Sequence, residues 1–384
     1  MVSANAIVAV LFIIGLSIFL YRERKKIEFQ RMLFPILYFV LLRTKLGLKF
    51  FDWCAERCRR PLIWAGYAGI VVGFLGMAAI AFELVYNSYR ILTEPAALSG
   101  VGLVLPFEAQ GVFYVPFIYW IVCIFIIAVI HEASHGILAR AHKIPVKSSG
   151  FAFLGVIVPV IPAAFVEPDE KKMKKRPDKQ QLSVFAAGPF SNIITGILFL
   201  LVFVYLFLPA VPSVYESTGI EITQVVEDGP VAIAGIEPGT VITSINDKMV
   251  LDSESFFEAV GDEPLDEIMV GTDKGEFMVR PEQRDNRSYF GIFIAEKLNV
   301  RDGFWGGQWG AMTFSWLMGL FQWLALLSLG IGLFNLVPLG PVDGGRMFKI
   351  ATNKLFKEKG DKIWASVSWL FLALILFNVI AGFL

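Results

Sequence analysis

The three histidines of this 384-residue chain, His131, His135 and His142, all fall within one stretch of twelve residues, HEASHGILARAH. His131 and His135 are four apart. On a helix that spacing puts both rings on one face, one turn apart, as two ligands of a single zinc ion require. Glu132 can reach a water polarised by the metal without ligating the metal itself. Zinc lowers the pKa of a water it holds to about 7. A neighbouring carboxylate can take that proton and later return it to a leaving amine, which is the chemistry of amide hydrolysis. The competing reading is a pair of packing histidines hydrogen-bonded inside a helix bundle. His142 lies beyond Arg140 among basic residues and reads as a surface histidine rather than a ligand.

The element that must position the pair is a membrane span. Residues 114–130 carry no charge at all, and ionisable side chains at the end of such a segment are costly enough to favour a functional site over packing. His131 precedes Arg140 by nine residues, which places it roughly 13 Å inside the cytoplasmic boundary. Water would have to reach it through a cavity.

The whole chain fits that setting. It is 56% hydrophobic and 18% charged, with the apolar residues in long blocks, the composition of an α-helical polytopic membrane protein. Six spans are expected, at about 3–21, 62–86, 114–139, 183–209, 311–337 and 363–383. The segments 22–60, 140–181 and 346–362 hold eleven, nine and six of the 34 basic residues. The positive-inside rule makes these segments cytoplasmic, so both termini would face outside. Net charge is zero, and nothing points to nucleic-acid binding. Cys54, Cys58 and Cys123 imply no disulfide framework. Cys54 and Cys58 read as a reduced surface pair, with metal binding as the alternative.

Two apolar stretches are not simple spans. Residues 150–166, broken by Gly155, Pro159 and Pro162, read as a re-entrant hairpin, which survives at membrane depth only beside protein or a watery cavity. Residues 32–42 are too short to span and are expected to form an interfacial helix. Residues 213–297 alternate apolar and polar residues over short distances. Their run GPVAIAGIEPGTVITSIND looks like a PDZ domain, a fold that binds extended peptides by adding a strand, often at a free C-terminus.

Two histidines need a third ligand, with a position left open for water. Glu167 and Glu170 fall in a charged cytoplasmic run and are poor choices. NLVPLGPVDGGR, residues 335–346, follows the fifth span, and its prolines and glycines break the helix around Asp343. This span runs in the same direction as the histidine span, so its end lies at a similar depth. Two readings stay open there: Asp343 as the third ligand, or an Asp343–Arg346 pair at the cytoplasmic edge.

HEASH on one span, AAGPFSN (residues 186–192) on the next and NLVPLGPVDGG on a later one together resemble the site-2 protease family of intramembrane zinc metalloproteases, in its PDZ-containing type. The resemblance covers roughly residues 114–350 and departs at Gly340, where the family often has a second proline. It implies that His131, His135 and Asp343 hold zinc, that Glu132 is the catalytic acid/base, and that Asn192 and Asn335 are polar residues near the site that hold substrate or support the transition state. Each asparagine could instead simply cross-link helices. The expected organisation is an N-terminal membrane region (1–113) with two spans, a first catalytic membrane half (114–209), an extracytoplasmic PDZ-like domain (213–297) and a second catalytic membrane half (303–384). The expected activity is cleavage of membrane-spanning segments of other membrane proteins in the lipid bilayer, with a possible peptide C-terminus in the PDZ-like domain. The alternative is a non-proteolytic zinc carrier or a PDZ adaptor. A carrier would spread its ligands over several depths, whereas here they converge on one site that includes a base.

Overall fold

The computed structural model describes residues 4–33, 37–94, 100–156, 158–261, 265–284 and 287–383. Two compact units emerge, Met1–Phe203 with Gly319–Leu384, and Val204–Met318.

The first apolar segment folds as helix α1 (Ala4–Arg22). A strand pair follows, β1 (Ile27–Leu33) and β2 (Leu37–Thr44). Next come a short amphipathic helix, α2 (Leu48–Arg57), and the long α3 (Arg59–Thr93). Two short parallel strands, β3 (Leu103–Leu105) and β4 (Val112–Tyr114), lead into α4 (Phe117–Ala141). Strands β5 (Val146–Val156) and β6 (Val158–Pro168) form an antiparallel hairpin. A single turn, α5 (Glu170–Met173), precedes α6 (Asp178–Val202).

The interfacial helix expected over residues 32–42 is not what forms, although residues 34–36 lie outside the described set. From Leu37 onward the chain is strand, and β2 pairs with β5 from Leu37↔Val156 to Thr44↔Ser149. The sheet order is β1-β2-β5-β6. Elementary bonding explains it: a lone hairpin would leave two rows of unpaired amides, costly where water is scarce, and β2 closes one of them. Gly150 and Gly155 allow the approach, since a Cβ on Gly150 would lie 2.1 Å from the Leu42 carbonyl oxygen and one on Gly155 2.4 Å from the Tyr38 ring. Leu16 and Leu20 of α1 bury Tyr38, Val40 and Phe153 of the sheet.

A π-helical turn, Phe203–Phe207, joins α6 to α7 (Leu208–Val214). The inserted unit then builds β7 (Tyr215–Val225), α8 (Pro230–Ile233), β8 (Val241–Ile245), β9 (Lys248–Met249), α9 (Ser253–Val260), β10 (Ile268–Thr272), β11 (Gly275–Val279), β12 (Glu282–Arg284), β13 (Arg287–Tyr289) and β14 (Ile292–Val300). Its main sheet runs β11-β10-β8-β7-β14. The alternating apolar residues read from the sequence supply its core, including Ile220, Ile222, Ile245, Val270 and Phe256. Asp252 and Ser255 cap α9 reciprocally, which fixes where that helix begins.

The chain continues with α10 (Gly307–Phe334), α11 (Asp343–Phe356) and α12 (Gly360–Gly382). Buried amides join α12 to α3: Asn87 Nδ2 donates to Asn378 Oδ1 at 2.6 Å, and Asn378 Nδ2 donates to Ser88 Oγ at 2.7 Å. Among the described residues, five helices are long and apolar enough to cross a membrane: Arg59–Thr93, Phe117–Ala141, Asp178–Val214, Gly307–Phe334 and Asp343–Gly382. The first of the six expected spans is a shorter apolar helix.

Candidate active site

Helix α4 carries His131, Glu132 and His135, and the two rings stand 4.8 Å apart between centroids. Asp343 arrives from the first residue of α11, at the end of the Pro/Gly-broken turn after α10. The pair of glycines after it makes the turn possible. A Cβ on Gly344 would lie 2.2 Å from the Leu336 carbonyl oxygen, and one on Gly345 2.0 Å from that of Leu339. The Gly344 amide donates to the Asn335 carbonyl at 2.7 Å and closes the loop. A carboxylate at a helix N-terminus is also favoured by the helix dipole.

Three donor atoms converge. His131 Nε2 lies 3.0 Å and His135 Nε2 3.3 Å from Asp343 Oδ2, and the two nitrogens are 3.1 Å apart. Around a tetrahedral zinc with ligands at about 2.0–2.1 Å, donors sit about 3.3 Å from one another. The residues therefore fit the ion, and all three are buried. His135 Nδ1 sits 2.7 Å from the Val184 carbonyl oxygen. A proton on Nδ1 donated to that oxygen leaves the Nε2 lone pair facing the cluster. Gly188 of α6 keeps the space open, for a Cβ there would lie 2.4 Å from His135 Nε2 and 2.5 Å from His131 Nε2.

The cluster opens on a cavity of about 610 Å³ lined by His131, Glu132, His135, Asn335 and Asp343. Charged residues of the 140–181 segment, Lys147, Glu167, Glu170 and Lys171, line it as well, with Arg346. Glu132 accepts a hydrogen bond from the Val166 amide of β6 at Oε2, 2.9 Å away. Glu167 is engaged elsewhere: it accepts from Ser148 Oγ at 2.8 Å and pairs with Arg43. These partners, the Ser148 hydroxyl first, hold its carboxyl below the ordinary range despite partial burial.

The sequence candidates do not all stand in the same relation to the cavity. Asn335 lines it and donates to the Ile331 carbonyl at 3.0 Å. Asn192 is fully buried behind the histidines, its Nδ2 3.1 Å from His131 Nδ1. The Asp343–Arg346 pair does not form: Asp343 contacts the two histidines, and the Arg346 guanidinium sits 5.5 Å from the Phe185 ring centroid. His142 corrects the surface reading. It is buried, and its Nε2 lies 2.8 Å from Ser183 Oγ, which itself donates to the Gln180 carbonyl. Burial, reinforced by Arg59 and Arg176, pushes its pKa down, and a neutral ring with Nε2–H donating to the serine fits that contact. Ser183 of α6 and the Tyr67 ring of α3, 6.1 Å away between centroids, pack against it, which a count of neighbouring charges in sequence does not reveal. Sequence reasoning also missed the Val184 carbonyl, the Val166 amide and the steric role of Gly188. Only the last left a trace, a Gly-Pro pair in the middle of an apolar span.

With the fold and site in place, comparison with known proteins defines the class. Residues 119–376, about two thirds of the chain, match Peptidase family M50. The chain belongs to this family, that of the site-2 proteases. It is 27% identical over 345 residues to an uncharacterized protein of Methanocaldococcus jannaschii, covering 86% of this chain and 81% of that one. It is 23% identical over 227 residues to the regulator of sigma-W protease RasP of Bacillus subtilis, covering 47% of this chain and 52% of RasP.

Proposed function

We propose that this protein is a zinc-dependent endopeptidase that hydrolyses peptide bonds within membrane-spanning segments of other membrane proteins. The observation that carries the reading is the convergence of His131 Nε2, His135 Nε2 and Asp343 Oδ2 within 3.0–3.3 Å of one another, beside Glu132 on a charged cavity. Zinc, when bound, supplies Lewis acidity toward a water and the scissile carbonyl. His131, His135 and Asp343 hold it and leave a position open. Glu132 takes the proton of the attacking water and delivers it to the leaving amine nitrogen. The Val166 amide holds one of its oxygens, so the carboxylate is aimed before substrate arrives. Asn335, on the cavity wall, is placed to bind the substrate backbone or the developing oxyanion.

Strand β6 ends the sheet on the side of α4. Because the Val166 amide serves Glu132, the alternation of an antiparallel ladder turns Ala164 and Pro162 toward the same free edge. Pro162 has no N–H, so Ala164 offers the full donor–acceptor pair there. A substrate segment drawn into extended form along this edge would bring its peptide bonds, shielded in a helix, beside the metal. The inserted unit is read as an extracytoplasmic PDZ-like filter. The start of α9 is tied to its edge strand β14 where the Ser253 amide donates to Glu296 Oε1, and Phe257 of α9 and Phe293 of β14 are exposed. The metal site would open to the cytoplasm, since the charged cavity residues come from the segments that the basic-residue count places inside. The carrier alternative finds no support: among the described residues, His131, His135 and Asp343 form the one group suited to a metal, and a base stands beside them.

Glu132→Gln tests the reading with the purified protein and a model membrane substrate. Zinc content should stay at the wild-type level while cleavage is abolished. An active Glu132→Gln protein removes the base from the mechanism, and a wild-type protein that holds no zinc removes the mechanism altogether.

A further inference from the structure

An imidazole that binds metal through Nε2 carries its proton on Nδ1 and needs an acceptor there. For His135 the acceptor is the Val184 carbonyl. For His131 the group at Nδ1 is the Asn192 carboxamide, and the atom facing the ring is Nδ2, at 3.1 Å. In that arrangement the amide donates, Nδ1 accepts, and the ring proton is forced onto Nε2. That is the nitrogen pointing at Asp343 and His135, so this tautomer blocks a metal. The other end of the same carboxamide, Asn192 Oδ1, is buried and has no hydrogen-bond partner.

The two ends of an asparagine amide exchange by a half-turn that barely moves a heavy atom. We propose that Asn192 is the positioning residue of the metal centre: with metal bound, its Oδ1 accepts from His131 Nδ1–H and fixes Nε2 as the ligating nitrogen. The exchange leaves the count of unpartnered buried groups unchanged, because the NH2 moves to where the oxygen stood, and it removes the blocking tautomer. The inference rests on reading the cluster as a zinc site.

The surroundings suit a fixed support rather than a substrate contact. Asn192 is completely buried and is not part of the cavity wall, unlike Asn335. Its backbone carbonyl accepts from Ser328 Oγ of α10 at 2.8 Å. Gly332 lets α10 press against it, since a Cβ there would lie 3.1 Å from Asn192 Cβ. The two asparagines of the sequence motifs thus divide the work. Asn335 can meet the substrate, and Asn192 orients a ligand from behind.

The test is zinc affinity, measured by chelator competition on the purified full-length protein, with the melting temperature of each metal-free form recorded alongside. Asn192→Ala removes the acceptor and should weaken zinc about 10–100-fold, the range found for lost outer partners of metal ligands. Asn192→Asp keeps an acceptor and should bind zinc at least as tightly as wild type. Wild-type affinity in Asn192→Ala overturns the inference. Equal losses in both variants also overturn it, since they would mean packing rather than proton acceptance. Should Asn192→Ala fail to fold, Asn192→Ser, whose shorter hydroxyl falls short of the ring, takes its place with the same expectation. A wild-type protein that binds no zinc would instead defeat the metal reading beneath it.

Discussion

A single methyl group at position 188 should evict the metal. A Cβ on Gly188 would sit 2.4 Å from His135 Nε2, 2.5 Å from His131 Nε2 and 2.6 Å from His131 Cε1. The two nitrogens are 3.1 Å apart, so the methyl carbon would crowd both of the atoms that a zinc needs at about 2.0–2.1 Å. Ordinary contact needs about 3.5 Å, which leaves an overlap of about 1 Å with both rings. The rings can escape only by swinging their Nε2 atoms off the metal, leaving Asp343 alone. Four-ligand zinc sites bind with about 10–16 kcal/mol, or roughly 2.5–4 kcal/mol per ligand, so losing two costs about 5–8 kcal/mol. That corresponds to about four to six orders of magnitude in affinity. Metal analysis of purified Gly188→Ala after dialysis should find essentially no zinc, and cleavage should vanish with it. Gly196→Ala is the control on the same helix: its Cβ would strike the Leu329 side chain at 2.8 Å, a comparable packing insult away from the metal, and zinc should remain. Full zinc in Gly188→Ala would refute the placement of the ion between α4 and α6.

Asp343→Asn should lose most of its zinc while Arg346→Ala keeps it; metal analysis of both variants checks this, and equal zinc in the two would detach Asp343 from the site. Val166→Pro deletes the amide that holds Glu132 but spares the β5–β6 ladder, so it should retain zinc and lose up to about 10²-fold in cleavage rate, the scale of a base misplaced by about 1 Å. In sealed vesicles, a cysteine at position 174 in a background without the native cysteines should react only from the cytoplasmic face; labelling from the other face would invert the topology. Excision of residues 213–297 should change which substrates are cut, and zinc content should hold, because every metal contact lies in the other unit.

The histidine pair on one helix face and the break around Asp343 were legible because each has a local cause. Spacing by four sets one helix face, and prolines with glycines stop a helix wherever they stand. Apolar blocks likewise announced the long helices. The four-stranded sheet was not legible. Leu37–Thr44 and Ser149–Val156 pair across more than a hundred residues, and a short apolar run reads equally well as helix or strand until its partner is known. Gly155 read only as a break in an apolar stretch, whereas in the structure it makes room for the Tyr38 ring. The different placements of Asn192 and Asn335 were equally hidden, because depth behind a ligand has no signature in spacing.

The metal cluster joins His131 to a residue 212 positions later, and the whole inserted unit is synthesised in between. At about 5–20 residues per second, the ribosome needs roughly 10–40 s to travel from one ligand to the other. For that interval the newborn chain already carries its histidines and its glutamate in the bilayer, yet the pocket has no third wall. On the proposed function, the protein would stay inert among the nascent membrane proteins around it until α11 emerges, and hydrolysis would begin as an event of assembly.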